Sequence, residues 1–472
     1  MQLIQFRQLA TRSALLLSLG LAVGSCDKAI NVEPSNSISS DKGFSTKEDA
    51  AAGLLGAYDA MQSTSYYGLD FPVLADLVSQ EIRHVGTFAS TYGVINANQV
   101  NPDNVSVGTT WNAIYLAISR VNYLLQQSEK ITDPAFPKLT TQGEARALRA
   151  LHYMNLLGYW GGKPEGFGYT DGLGVPLRLS PTTSIGPETE AVPRASEAQV
   201  ATAIRADLDF AIANLPSGAG GNRVTKNSAL ALRARFELWE RNYADALKFA
   251  QQVPAVAGFA TAAATGTTAP DAIWQLFFSN TDQSQYAFYW YPSPGGRNEF
   301  DPGSTLAAAH PTGDRRLPIN VVAAATSVTV AGTPYTLSAG TTQKYYRTSS
   351  RDDRFNMVRY AEVVLTIAEA AAQTGDLATA ITQLNIIRTR AGLAATTITP
   401  TTANAASALI TDILLQRRLE LAYEGHYWFD LRRTNRVQTA LPTYTQSYRN
   451  LFPIPLREVQ VTNGLIAQNP LY

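Results

Sequence analysis

The stretch RYAEVVLTIAEAAAQTGDLATAITQLNIIRTRAGL, residues 359–393, constrains this chain's architecture more than any other. Apolar residues recur at spacings of three and four on both sides of Gly375-Asp376, the mark of two amphipathic helices. Glycine adopts the left-handed conformation that closes a helix, and the following Asp carboxylate accepts hydrogen bonds from the first N–H groups of the next. The spacing predicts a helix-turn-helix hairpin, with Ala380 small enough to let the two helices approach.

Other segments repeat the theme. Lys47 to Gln62 places Ala51, Leu54, Leu55 and Tyr58 on one face, and Thr110 to Gln127 does so with Ile114, Ala117, Ile118, Val121 and Leu125. GEARALRALHYMNLLGYWGG is apolar almost all round, which predicts a buried helix stopped at Gly161-Gly162. KNSALALRARFELWERNYADALKFAQQV reads as two helices broken near Arg241-Asn242, with Ala246 and Ala250 facing a close partner. A last pair runs from Ala408 through Glu424 and from Tyr427 to Arg433. The hairpins have the length and turn of tetratricopeptide units, roughly 34 residues each. The predicted fold class is all-α: tetratricopeptide-like helical hairpins forming a superhelical scaffold, with long loop-rich insertions and a few short strands. The insertions fall near 161–195 and 253–356, rich in Gly, Pro, Thr and Tyr, and TSVTVAGTPYTLSAG reads as a short hairpin. Insertions of that length are usually functional. The tail from Leu451 to Tyr472 lacks a helical period and is expected to lie extended.

The N-terminus carries a different signal. Arg7 and Arg12 precede a mostly apolar run from Ala14 to Val23, then come Gly24, Ser25 and Cys26, the sole cysteine. This is the layout of a secretory signal peptide, and the run is shorter than the 18 to 20 apolar residues of a spanning helix. Val23-Gly24-Ser25-Cys26 has the form of a bacterial lipobox, in which the thiol is acylated and Cys26 becomes the new N-terminus; acyl chains contribute about 0.8 kcal/mol per buried methylene. The alternatives are an ordinary signal peptide cut nearby, with a free cysteine left over, and a short buried N-terminal helix. Residues 1–25 are thus expected to be an export signal, 26–45 a lipidated tether rich in Asn and Ser, and 46–472 a single domain.

The 38 basic and 38 acidic residues balance, and no block of like charge stands out, which argues against nucleic acid as a partner. Charged residues are 16% of the chain against roughly 25% in average soluble proteins, while aromatics reach 10%. Such a surface suits neutral, hydroxyl-rich or peptide-like ligands. Catalytic signals are missing: one cysteine excludes a disulfide or cysteine-based metal site, and His84, His152, His310 and His426 lack zinc-site spacing. No cofactor is called for. His152, among apolar residues, reads as a hydrogen-bonded core histidine. Glu420 and Glu424 share a helix face, but beside Arg417 and Arg418 they read as ion-paired, and Asp352-Asp353 between Arg351 and Arg354 as a solvated or bridging cluster. Aromatic residues are the better lead. Tyr286, Phe288, Tyr289, Trp290 and Tyr291 crowd one loop, and Tyr66, Tyr67, Phe88 and Tyr92 lie in the N-terminal connections. Rings on loops offer flat apolar faces to sugars or peptide side chains. On composition, the expected ligand-binding residues are Tyr92, Tyr289, Trp290 and Tyr291.

Taken in order, the lipobox, GEARALRALHYMNLLGYWGGKP with GVPL, KNSALALRARFELWERNYADAL, the 359–393 hairpin, ILLQRRLELAYEGHYWFDLRR and LFPIPLREVQVTNGLIAQNPLY resemble the SusD/RagB family of outer-membrane nutrient-binding lipoproteins of Bacteroidetes. Gln416, Tyr427 and Leu471 depart from that family's usual Glu, Arg and Gly. The resemblance implies a non-enzymatic, lipid-anchored protein on the outer face of the outer membrane. It would capture oligosaccharides or peptides and deliver them to a SusC-type TonB-dependent transporter, with the helical side on the transporter and the loop side holding ligand. Only Asp27 supplies the acidic residue that surface export in this phylum favours after the cysteine. Two rival classes remain: a secreted glycan hydrolase, which needs two converging carboxylates, and a tetratricopeptide protein-interaction scaffold, which needs no long insertions.

Overall fold

The computed structural model describes residues 44–183, 186–219, 221–257, 259, 269–330 and 332–472. The expected export signal, Cys26 and most of the tether lie outside the described residues.

Ten helices of eight residues or more are found among the described residues: α1 (Lys47–Gln62), α2 (Asp70–Val78), α3 (Val105–Ser128), α4 (Lys138–Trp160), α5 (Glu197–Asn214), α6 (Lys226–Trp239), α7 (Tyr243–Ala250), α8 (Tyr360–Thr374), α9 (Leu377–Arg390) and α10 (Ala405–Glu420). Their starts follow from local chemistry. Thr46 and Asp49 form a capping box on α1, Ser196 and Gln199 on α5, and Thr225 and Ser228 on α6. Gly375 closes α8 at φ +90°, and the Asp376 carboxylate accepts from the Thr379 N–H at 3.1 Å to start α9. Each helix packs on the next: α3 on α1 and α4, α5 on α4 and α6, α7 on α6 and α8, and α8 on α9 and α10. This is the tetratricopeptide-like stack the hairpins predict. Ala246 meets Leu238 and Ala370 in the core, as its size allows.

Strands are short and paired two by two: β1 (Ile82–His84) with β5 (Phe300–Pro302), β2 (Leu173–Pro176) with β3 (Arg194–Ser196), β4 (Ala272–Leu276) with β8 (Phe355–Arg359), and β6 (Thr326–Val330) with β7 (Thr333–Leu337). The last is the hairpin expected in TSVTVAGTPYTLSAG.

Three sequence expectations change. Helix α2 was not expected, because all nine of its residues are buried and it has no polar face to give it a period. Helix α5 falls between the 161–195 insertion and the segment of α6, where no helix is expected from the sequence. The tail is not wholly extended: Leu456–Val461 forms a short helix.

The Glu420 and Glu424 pair is indeed ionic, but with other partners. Arg359, at the end of β8, reaches Asp271 Oδ2 at 3.1 Å, Glu420 Oε1 at 3.0 Å and Glu424 Oε2 at 3.0 Å; Lys344 Nζ is 2.7 Å from Glu424 Oε1, and Arg390 also binds Glu420. Arg417 and Arg418 instead bind Asp430 and Glu81. Burial pushes the Glu420 carboxyl up, but Arg390, Arg359 and Arg316 together drive it far below the usual carboxylate range. This buried network fastens the 253–356 insertion to α10.

Candidate ligand-binding face

Pairing of β1 with β5 brings the segment after His84 against the loop before Phe300. Glu299 completes the join. Its buried carboxylate accepts from the backbone N–H of Thr87 (2.9 Å) and Phe88 (3.2 Å), the Thr87 hydroxyl (3.0 Å) and Arg297 Nε (3.0 Å), with His84 Nε2 at 3.2 Å. Burial alone would raise its pKa, but the Phe88 N–H, the Thr87 hydroxyl and the Arg297 charge hold it below the usual range. It stays an acceptor and fixes Phe88 in place.

Phe88 and Tyr289 then stack with planes 16° apart and centroids 6.3 Å apart, both rings partly exposed. Phe288 adjoins Tyr289 edge-on at 5.7 Å, and Arg297 covers Phe88, its guanidinium carbon 4.1 Å from the ring centre. The result is a strip of rings with polar edges on the loop side of the scaffold. Rings of this kind rest against the apolar faces of sugars or of peptide side chains.

The short helix Tyr286–Trp290 decides which aromatic residues take part. Helical geometry puts residues four apart on one side, so Tyr286 and Trp290 turn inward while Phe288 and Tyr289 turn out. Trp290 is 1% exposed and packs on Tyr423 at 4.8 Å; Tyr291 is 2% exposed and donates its hydroxyl to the Thr342 carbonyl at 2.8 Å. Neither ring offers a face to solvent, whereas Phe288 and Phe88, like Tyr289, are partly exposed. Tyr92, 5% exposed, stands behind the strip, edge-on to both Phe88 and Tyr289, and donates to Asp70 Oδ1 at 2.7 Å. Tyr66 and Tyr67 are core residues whose hydroxyls accept from Asn155 at 2.7 and 2.8 Å. Sequence reasoning overlooked Arg297, whose place after Gly295-Gly296 in an aromatic loop was the available signal.

The histidines divide by environment. His152 is buried with Nδ1 2.8 Å from the Tyr66 hydroxyl, and burial takes its pKa down to about 3. Burial likewise takes His426 down to about 4. Among the described residues no group of three or more His, Cys, Asp or Glu side chains is placed to hold a metal ion, and no helix is long and apolar enough to cross a membrane.

The chain is similar to known proteins over most of its length. Residues 334–472 match the family described as "SusD family", and residues 31–238 match "Starch-binding associating with outer membrane". SusD-like protein P38 of Formosa agariphila is 26% identical over 99% of this chain and 100% of its own length, and SusD-like protein P2 of the same organism is 25% identical over 97% and 98%. Among solved structures, one titled "Laminarin binding SusD-like protein" superposes with a TM-score of 0.72 at 22% identity, covering 91% of this chain and all of that one. A SusD superfamily protein from Bacteroides fragilis gives 0.74 at 21% identity, covering 90% of this chain and 100% of that one.

Proposed function

The chain belongs to the SusD/RagB family, and from that premise we propose that it is an outer-membrane lipoprotein that captures oligosaccharides on the Phe88–Tyr289 strip and passes them to a SusC-type TonB-dependent transporter. Cys26 would carry the lipid anchor and the strip would face the cell exterior. The observation that carries this reading is the stacked Phe88–Tyr289 pair, locked by Glu299 and presented on loops. Laminarin binding by one structural relative and the outer-membrane association of the matching family both support it. Of the four residues singled out by composition, Tyr289 is the proposed contact and Tyr92 its support.

Binding without turnover is favoured by the state of the carboxylates. A glycosidase needs one acid with a raised pKa and a second group free to attack or to activate water. Glu420 and Glu424 are buried among cations that depress both, and Glu299 has its oxygens filled by donors. A pure protein-interaction scaffold, in turn, gives no reason for a ring strip on a long insertion.

The test is a panel of oligosaccharides and peptides against the full-length mature protein in detergent. Tyr289→Ala and Phe88→Ala should each weaken binding about tenfold, since stacking of this kind is worth roughly 1–2 kcal/mol. Silence across the panel, or release of new reducing ends, would sink the reading. Cys26→Ser should move the protein from the membrane fraction to the soluble fraction without changing its circular dichroism; continued sedimentation with membranes would refute acylation at this residue.

A further inference from the structure

Three guanidinium groups lie over aromatic rings on or beside the strip: Arg297 over Phe88 at 4.1 Å, Arg351 over Phe288 at 4.0 Å and Arg354 over Phe277 at 3.7 Å. Their electrostatic situations differ. Arg297 is neutralised by Glu299 and bonded to the Thr87 hydroxyl at 2.9 Å. Arg351 and Arg354 have no such partner: among the described residues neither forms an ion pair, and neither side chain donates a hydrogen bond. Nearby acids are engaged elsewhere. Asp352 takes Arg347 at 2.9 Å and the Ser350 hydroxyl, Asp353 takes the backbone N–H groups of Tyr346 and Arg347, and Asp282 takes Gln62.

A guanidinium carries five N–H donors in one plane, and stacking on a ring uses its face, not those donors. Arg351 and Arg354, both partly exposed, therefore keep their donor edges open. For Arg354, burial and then the neighbouring Arg347 charge pull the pKa down, against the opposing effect of Asp352. Position links Arg351 to the strip: Phe288, under Arg351, is edge-on to Tyr289, which stacks on Phe88; Arg354 follows three residues later in the same segment, over Phe277. The Arg297 N–H also donates to the Phe288 carbonyl at 2.8 Å. Although the whole chain is formally neutral, this segment holds two guanidinium groups without an ion-pair or hydrogen-bond partner among the described residues, each lying on an aromatic ring.

We infer that the ligand is an acidic oligosaccharide whose sugar rings rest on Phe88, Tyr289 and Phe288 and whose carboxylate or sulfate groups are held by Arg351 and Arg354. This rests on the glycan-binding reading above and adds the charge class of the ligand. Guanidinium suits both anions because its fork matches two oxygens at once.

Isothermal titration of the full-length mature protein in detergent distinguishes the possibilities with three probes: oligogalacturonate for carboxylate, carrageenan oligosaccharide for sulfate, and laminari-oligosaccharide as the neutral arm. One acidic probe should bind at least tenfold more tightly than the neutral one, and weaken as salt rises from 50 to 500 mM, as a charge-dependent contact must. Arg351→Gln with Arg354→Gln should remove that preference, about a tenfold loss, whereas Arg351→Lys with Arg354→Lys should retain part of it; melting curves check that both variants fold. Equal or tighter binding of the neutral probe, or silence toward both acidic probes, overturns the inference. The glycan-binding reading itself falls only if the wider panel is silent too.

Discussion

Asp70, behind the ring strip, accepts the Tyr92 hydroxyl, and burial pushes its carboxyl up to about 7. Unfolding returns it to the ordinary range near 4. Between about pH 4 and 7 the folded chain therefore binds more protons than the unfolded one, and stability falls as pH rises through that window. Asp70→Asn keeps an acceptor for Tyr92 and removes the charge. Its melting temperature relative to the unaltered protein should be higher at pH 8 than at pH 5, the difference corresponding to roughly 2–4 kcal/mol. Equal offsets at both pH values would show that Asp70 is not the titrating group. His152 works with the opposite sign, since a neutral buried imidazole loses stability as pH falls below about 6.5. Its apolar neighbours in sequence made that role legible. Leu471, where the family usually has glycine, stands at φ +71°, a left-handed conformation that glycine adopts freely and that strains a side chain. What no residue-level reading supplied was the direction of Tyr289 against Trp290, because neighbours in an aromatic run differ only by the helical turn they adopt.

At the scale of elements, turns carry the information best. Gly375 at φ +90° has open space around its Cα, so Gly375→Ala should cost only the left-handed conformation, about 1 kcal/mol. Gly425 at φ +73° is different: a Cβ there would sit 2.9 Å from Pro72 Cα in α2. Gly425→Ala should therefore lower the urea midpoint by more than Gly375→Ala does; equal midpoints would mean that the chain shifts freely at α2. The α8–α9 hairpin was readable because its caps and its period agree. Helix α2 was not, because burial on every side erases the period. In α5 the series Val200, Ile204 and Leu208 carries the period, but it is interleaved with Arg205 and Asp207, the latter buried against Arg149 at 2.7 Å. A charged residue paired inside the core reads as solvent-facing until its partner is known.

For the molecule as a whole, the decisive joint is the buried charge network around Arg359. Arg359→Met would strand Asp271, Glu420 and Glu424 with fewer cations than they need, at a cost of about 3–5 kcal/mol. Urea denaturation should show that loss, and a change below about 1 kcal/mol would mean that Arg390, Arg316 and Lys344 suffice. The amino-acid sequence alone determined the helical hairpins, their caps and the family's ordered blocks, since all of these depend on residues within a turn or two of one another. It also determined that aromatic residues gather in the insertion. Only the tertiary structure decided which rings face outward, that Glu299 ties Phe88 to the 285–301 loop, and that Glu420 and Glu424 answer to Arg359 and Lys344 instead of Arg417 and Arg418. Those choices join residues separated by tens to hundreds of positions, and they are settled by burial and charge compensation, which no local spacing records.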